Sequence, residues 1–179
     1  DKKNGTITAG NASPLSDGSS AVILSSEIGA QKLSLKPLAK IVDVQASAVD
    51  FVGGEGLLMA PTLAVAKLLQ RNNLTLQDFD IYEIHEAFAG QVACTLKAWD
   101  NENFCKSKLG MNSKLGTFDI NKMNTVGGSV ALGHPFAATG ARILASLAKL
   151  VSGSKKRGLI SICTAGGMGI AAIVEGTGN

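Results

Sequence analysis

The sequence predicts an α/β fold, a sheet covered by helices on both faces. Short apolar runs of strand character alternate along the chain with longer Ala- and Leu-rich stretches of helical period. That is the order expected when strands and helices take turns in one sheet. Gly is frequent at 21 residues, while aromatic side chains make up only 4%, a balance suited to tight turns and small-residue contacts. With 179 residues, 45% of them hydrophobic, the chain can bury a sizeable core.

Taken in order, Ala21-Val22-Ile23-Leu24 is a short apolar run that reads as a buried strand. Ser26 caps a helix to Leu33, and Lys40 to Ser47 alternates as a strand until Gly53-Gly54-Glu55-Gly56 breaks it. Pro61 starts a helix through about Gln70, and Thr75 with Asp78 three residues on forms a capping box. Asp80 to Ile84 is a strand ending at His85, and Glu86 to Trp99 a helix with Phe88, Val92, Leu96 and Trp99 on one face. Asn101 to Asp119 reads as a short helix and a loop. After a Gly-rich stretch, the helix Ala138 to Val151 turns Ile143, Leu144, Leu147 and Val151 inward. Gly158 to Ile162 is a strand whose end carries Cys163, and Gly169 to Glu175 closes the chain antiparallel to it.

Bulk properties narrow the function. The net charge of +3, from 17 basic against 14 acidic residues, is too small to argue for nucleic acid, and no basic stripe carries aromatics. Lys155-Lys156-Arg157 reads as a solvated turn. No apolar run is long enough for a membrane span, and no signal peptide is evident. Cys94, Cys105 and Cys163 lack paired spacing, which argues for a reducing compartment, and with two histidines they lack zinc-ligand spacing. A start at Asp1 in place of Met reads as a fragment or a processed chain.

The chemistry gathers at Asn124-Thr125-Val126-Gly127-Gly128-Ser129-Val130-Ala131-Leu132-Gly133-His134-Pro135-Phe136. His134 is read as standing between a loop and a helix N-terminus, with Pro135 in the first helical turn. An imidazole there suits acid–base work or the handling of an oxyanion, and its plainer reading is a loop histidine in a tight turn. His85 and Cys163 also lie just past strands, and ligands gather at the carboxyl ends of strands in open α/β sheets. Taken singly, His85 reads as a satisfied strand-end polar group and Cys163 as a small buried hydrophobe. Three reactive side chains at three such positions point to one shared site.

These residues resemble the C-terminal half of a thiolase. Tyr82-Glu83-Ile84-His85-Glu86-Ala87-Phe88 is similar to the family's Asn-Glu-Ala-Phe motif with His in place of Asn, and Gly133-His134-Pro135 matches its Gly-His-Pro motif. Cys163-Thr164-Ala165-Gly166-Gly167-Met168-Gly169 resembles the Cys-x-Gly motif with Ala at 165, and Thr8 to Ser13 with Asp17-Gly18 resembles the connecting segment. The likeness spans nearly the whole chain in order. It implies a thiolase-like half, a mixed and mainly parallel sheet with helices on both faces. Residues 1–34 then form the end of the N-terminal domain and the connector, and residues 35–179 the C-terminal domain. His85 and Ala165 are similar to the branch containing the mitochondrial trifunctional-enzyme β-subunit and its bacterial counterparts. Ala137 stands where the family usually has Gly.

The resemblance implies thiolysis of 3-ketoacyl-CoA by CoA, in fatty-acid β-oxidation, through a covalent acyl-cysteine. His134 would take the nucleophile's proton, Cys163 would exchange a proton with the leaving enolate and incoming CoA, and His85 would donate to the thioester oxygen. The backbone N–H of Ala165 would serve a second oxyanion hole, and Glu86 would orient an imidazole, unless it serves the first turn of a helix. Phe136 and Met168 would line the acyl channel, each with plain packing as the alternative. The nucleophilic cysteine and the main CoA loop belong to the N-terminal half, and neither Cys94 nor Cys105 has the Cys-x-Ser context. The implied partners are acyl-CoA and CoA as substrates with no cofactor, the N-terminal half, a second copy in a homodimer, and a hydratase/dehydrogenase subunit. The implied location is mitochondrial, with the bacterial cytoplasm or the peroxisome as alternatives. Competing readings are a sterol-carrier-type thiolase, a ketoacyl synthase relative and a non-catalytic oligomerisation half-module.

Overall fold

A computed structural model describes residues 3–178. One four-stranded sheet organises them: β1 (Ala39–Ala48), β2 (Ile81–Ile84), β3 (Arg157–Thr164) and β4 (Met168–Gly176), in the order β1-β4-β3-β2. The sheet is mixed as expected but not mainly parallel. β2 pairs parallel with β3, whereas β4 pairs antiparallel with both β3 and β1. The reason lies in the connections. A three-residue turn, Ala165 to Gly167, joins β3 to β4, and so short a link only permits antiparallel strands. Gly166 and Gly167 take φ of 81° and 72° there, a region open to glycine without strain.

Helices cover both faces. The strands alternate, so Tyr82, Ile84, Leu159 and Ile173 meet one layer while Ile81, Ile160 and Val174 meet the other. On the first face lie α2 (Ala60–Asn72), α3 (Ala89–Trp99) and α4 (Glu102–Leu109), which contribute Leu68, Leu69, Val92, Trp99 and Leu109. Trp99 is fully buried and gives its indole N–H to the Thr62 carbonyl at 3.3 Å. On the second face lies α6 (Thr139–Val151), packed through Ile143, Leu147 and Val151. A short α1 (Glu27–Lys32) carries the expected Ser26 cap, whose hydroxyl accepts from the Gly29 N–H at 3.1 Å.

Several sequence readings shift. Ala21 to Leu24 forms no strand among the described residues, and Ile23 is 85% exposed. Its apolarity has no strand partner among the described residues. The helix expected from Glu86 begins at Ala89, because residues 85–88 leave the sheet edge first and Ala12 bridges Phe88. A four-residue helix, α5 (Ser129–Leu132), was not expected. It places His134 just past the end of α5 and five residues before α6 begins, and Pro135 opens a turn whose carbonyl accepts from the N–H groups of Ala138 and Thr139. The expected position of His134 at a helix N-terminus is thereby corrected.

Candidate functional site

Strand parity builds one side of the site. Ile81, Glu83 and His85 follow one another at every second residue, so Glu83 falls on the face that packs against α6. His85 stands at the end of that row, 3% exposed, held by its N–H to the Ser161 carbonyl at 2.9 Å. The loop carrying His134 comes from the other side. It is fastened to the connecting segment, where the Pro14 carbonyl accepts from the His134 N–H and the Ser20 hydroxyl donates to the Ala138 carbonyl at 2.5 Å.

The two imidazoles meet, with ring centres 4.3 Å apart and planes inclined by 54°. Cys163 lies beside His85: both line a small recess with Ile84, Gln91 and Ser161. His85, His134 and Cys163 thus come from three distant stretches to one place. Above them, Leu15, Asp17, Gly18, His134, Pro135 and Phe136 line an open cavity of about 540 Å³. Phe136 is 77% exposed, with its ring 4.7 Å from that of His134. Ala165 sits in the exposed turn after β3, and Met168 opens β4, half-exposed and outside the lining of either hollow.

The surroundings set proton states. Burial, then the neighbouring charges of His134 and Arg142, pull His85 down to about 4, so it is neutral near pH 7. His134 is also pulled below its ordinary value, by burial first and by Arg142 second. Burial pushes the Cys163 thiol up to about 11, against the opposing pull of backbone N–H groups. A thiol so placed holds its proton at neutral pH and can give it to a strong carbon base. Burial raises Glu83 to about 7, which Arg142 at 4.0 Å opposes.

Each imidazole has a hydroxyl on Nδ1. Ser129 Oγ lies 3.0 Å from that of His85, and Thr139 Oγ1 lies 2.6 Å from that of His134. The Thr139 hydroxyl is also 3.2 Å from the Pro135 carbonyl. If it donates there, it accepts from His134 Nδ1–H and leaves Nε2 free to take a proton. Glu86 makes no hydrogen bond to either imidazole among the described residues. It accepts from the Val130 N–H at 3.1 Å and from the Asn124 side-chain amide, so it serves the N-terminus of α5 and not that of α3. Asn124 also pairs with both backbone groups of Ile84, at 2.8 and 2.9 Å.

Sequence reasoning passed over Glu83, Asn124, Ser129, Thr139 and Arg142 as site residues. The signals were a carboxylate two residues before His85 on one strand face, and a serine directly after Gly127-Gly128. Among the described residues, no group of three or more His, Cys, Asp or Glu side chains could hold a metal ion.

Comparison with known proteins gives a consistent family. Residues 35–176 match the thiolase C-terminal domain, and residues 1–28 match the thiolase N-terminal domain. A 3-ketoacyl-CoA thiolase of Shewanella woodyi is 43% identical over 176 residues, covering 98% of this chain and 40% of the relative. The dimeric peroxisomal thiolase of Saccharomyces cerevisiae superposes with a TM-score of 0.76 at 36% identity, over 97% of this chain and 39% of that one. A thiolase of Ascaris suum in complex with coenzyme A gives 0.71 at 30% identity, over 96% of this chain and 39% of that one. The chain therefore spans about 40% of the length of the curated relatives it matches. The expected mitochondrial location is corrected by these relatives. The matching 3-ketoacyl-CoA thiolases of Shewanella woodyi, Yersinia enterocolitica and Alteromonas mediterranea are bacterial, which favours the bacterial alternative.

Proposed function

Because this chain belongs to the thiolase family, we propose that it supplies the acid–base half of a 3-ketoacyl-CoA thiolase site. The nucleophilic cysteine and most of the CoA contacts come from the N-terminal half. The observation that carries the reading is the imidazole pair at 4.3 Å beside the buried Cys163. In the first step His134 Nε2 takes the nucleophile's proton, and the thiolate attacks the 3-keto carbon. The Cα–Cβ bond then breaks, the acyl group stays on sulfur, and the acetyl-CoA enolate leaves. Cys163 protonates that enolate carbon. In the second step the Cys163 thiolate takes the proton of incoming CoA, whose sulfur attacks the acyl-enzyme and releases a shortened acyl-CoA, and the expelled cysteine thiolate recovers its proton from His134.

His85 fits the donor role on the thioester oxygen because a neutral imidazole can offer an N–H where a charged one would face Arg142. The exposed Phe136 beside His134 suits an acyl chain entering the open cavity. The acyl-channel place of Met168, which lies outside that lining, and the second oxyanion hole at the Ala165 N–H rest on the motif resemblance alone. Glu86 acts on the site through the loop it fastens. Residues 1–34 act as the end of the N-terminal domain and connector, and residues 35–179 as the C-terminal domain. A homodimer is the expected assembly, with a hydratase/dehydrogenase subunit as a further partner. The test is thiolysis of acetoacetyl-CoA or a longer 3-ketoacyl-CoA by this chain together with its N-terminal half. His134→Ala should lower kcat by at least about 10²-fold; wild-type turnover in that variant would remove His134 from the mechanism.

A further inference from the structure

We propose that Arg142, acting through Ser129, fixes His85 in the tautomer that carries its proton on Nε2, and that Ser129 and Arg142 are thereby positioning residues for the oxyanion donor. This rests on the donor role given to His85 above.

Counting hydrogens carries the argument. Arg142 Nη2 lies 3.0 Å from Ser129 Oγ, and a guanidinium can only donate. Ser129 Oγ therefore accepts from Arg142 and keeps its single hydrogen for another partner. The remaining partner is His85 Nδ1 at 3.0 Å. If the hydroxyl donates there, Nδ1 is the bare nitrogen and the ring proton of a neutral imidazole sits on Nε2. The opposite tautomer would make Oγ accept from both sides and strand the hydroxyl hydrogen. Ser129 is fully buried and has no other hydrogen-bond partner among the described residues, so that hydrogen would find neither protein nor water.

Arg142 also faces a buried acid. Its other terminal nitrogen, Nη1, lies 4.0 Å from the carboxyl of buried Glu83, in β2 and two residues before His85. The guanidinium, carried by α6, thus lies between Glu83 and Ser129, and it orients the hydroxyl. The relay crosses from α6 to the first residue of α5 and from there to the end of β2.

The test uses this chain with its N-terminal half, joined or co-expressed, and reads imidazole nitrogen resonances alongside thiolysis. The His85 signals are assigned by their loss in His85→Asn. In the wild type His85 should show the Nε2–H tautomer, and Ser129→Ala, which only deletes a buried oxygen, should show a mixture. The same variant should lose about tenfold in kcat with KM little changed, and Ser129→Thr should restore both where the added methyl is accommodated. An Nδ1–H tautomer in the wild type, or an unmixed Nε2–H tautomer in Ser129→Ala, would overturn the relay. A mixed tautomer with undiminished kcat would overturn its link to catalysis. Absence of thiolysis in the wild type would instead fail the functional reading, with the resonances still deciding the relay.

Discussion

Ala137 holds a left-handed backbone at φ 66°, one residue past Phe136 and beside the His134 turn. A Cβ in that conformation crowds the following carbonyl and costs about 1–2 kcal/mol, of which a glycine's extra freedom in the unfolded chain offsets about 0.4–1. Ala137→Gly should therefore stabilise the protein by roughly 0.5–1 kcal/mol, seen as a higher urea midpoint; a lower midpoint would mean that the methyl is doing useful packing. Two other residues give stability opposite slopes with pH. His85, lowered to about 4 from 6.5, contributes stability that is complete above 6.5 and is lost as pH falls toward 4. Glu83, raised to about 7 from 4.5, contributes stability that is complete below 4.5 and is lost as pH rises through 7. Glu83→Gln should flatten the fall in stability between about pH 5 and pH 8, measured by urea unfolding across that range, and an unchanged slope would show that the carboxyl titrates normally. The imidazoles and Cys163 stood out in the sequence because reactive side chains are rare in so apolar a chain. Ser129, Thr139 and Arg142 did not, because a hydroxyl or guanidinium acquires its task from what lies across the fold, and Ser129 is 13 residues from the guanidinium that orients it.

At the scale of elements, α5 depends on one close approach. Its preceding Gly128 lies against the Glu86 carboxylate, and a Cβ at that position would fall inside the carboxyl group. Glu86 cannot simply swing away, because it accepts from the Val130 N–H and the Asn124 amide. Gly128→Ala should thus undo much of what Glu86→Ala undoes, each costing on the order of 1–2 kcal/mol, the range for losing a helix cap. A double-mutant cycle by chemical unfolding should show the pair to be clearly non-additive; simple additivity would mean that the contact is not what supports α5. The long elements were legible: α2, α6, β1, β3 and β4 have enough turns or alternations for their period to be read. Four-residue α5 offers a single turn, too short to show a period, and its capping acid lies more than 40 residues earlier. The apolar run Ala21 to Leu24 misled for the opposite reason. Its hydrophobicity is plain in the sequence, but strand character needs a neighbour to pair with, and the described residues provide none.

For the molecule as a whole, the two buried clusters on either side of the sheet account for the interior, and the apolar residues left over lie outside them. Leu15 is 94% exposed, and Ile7, Ile23, Leu24, Val52 and Leu132 are also largely open, many of them in or near the connecting segment. So many large apolar side chains in water are unusual for a self-sufficient domain and mark a surface that another body covers. Under the proposed function, that body is the N-terminal half. Covering a handful of such side chains at roughly 1.5–3 kcal/mol each would dominate the association. The isolated chain should therefore self-associate or precipitate in the micromolar range, and sedimentation velocity should show it leaving the aggregated boundary when the N-terminal half is co-expressed. Substituting Ile23 and Leu24 with Ser should weaken both the self-association and the capture of the N-terminal half. A stable, soluble monomer with these residues intact would show that the exposed face needs no partner.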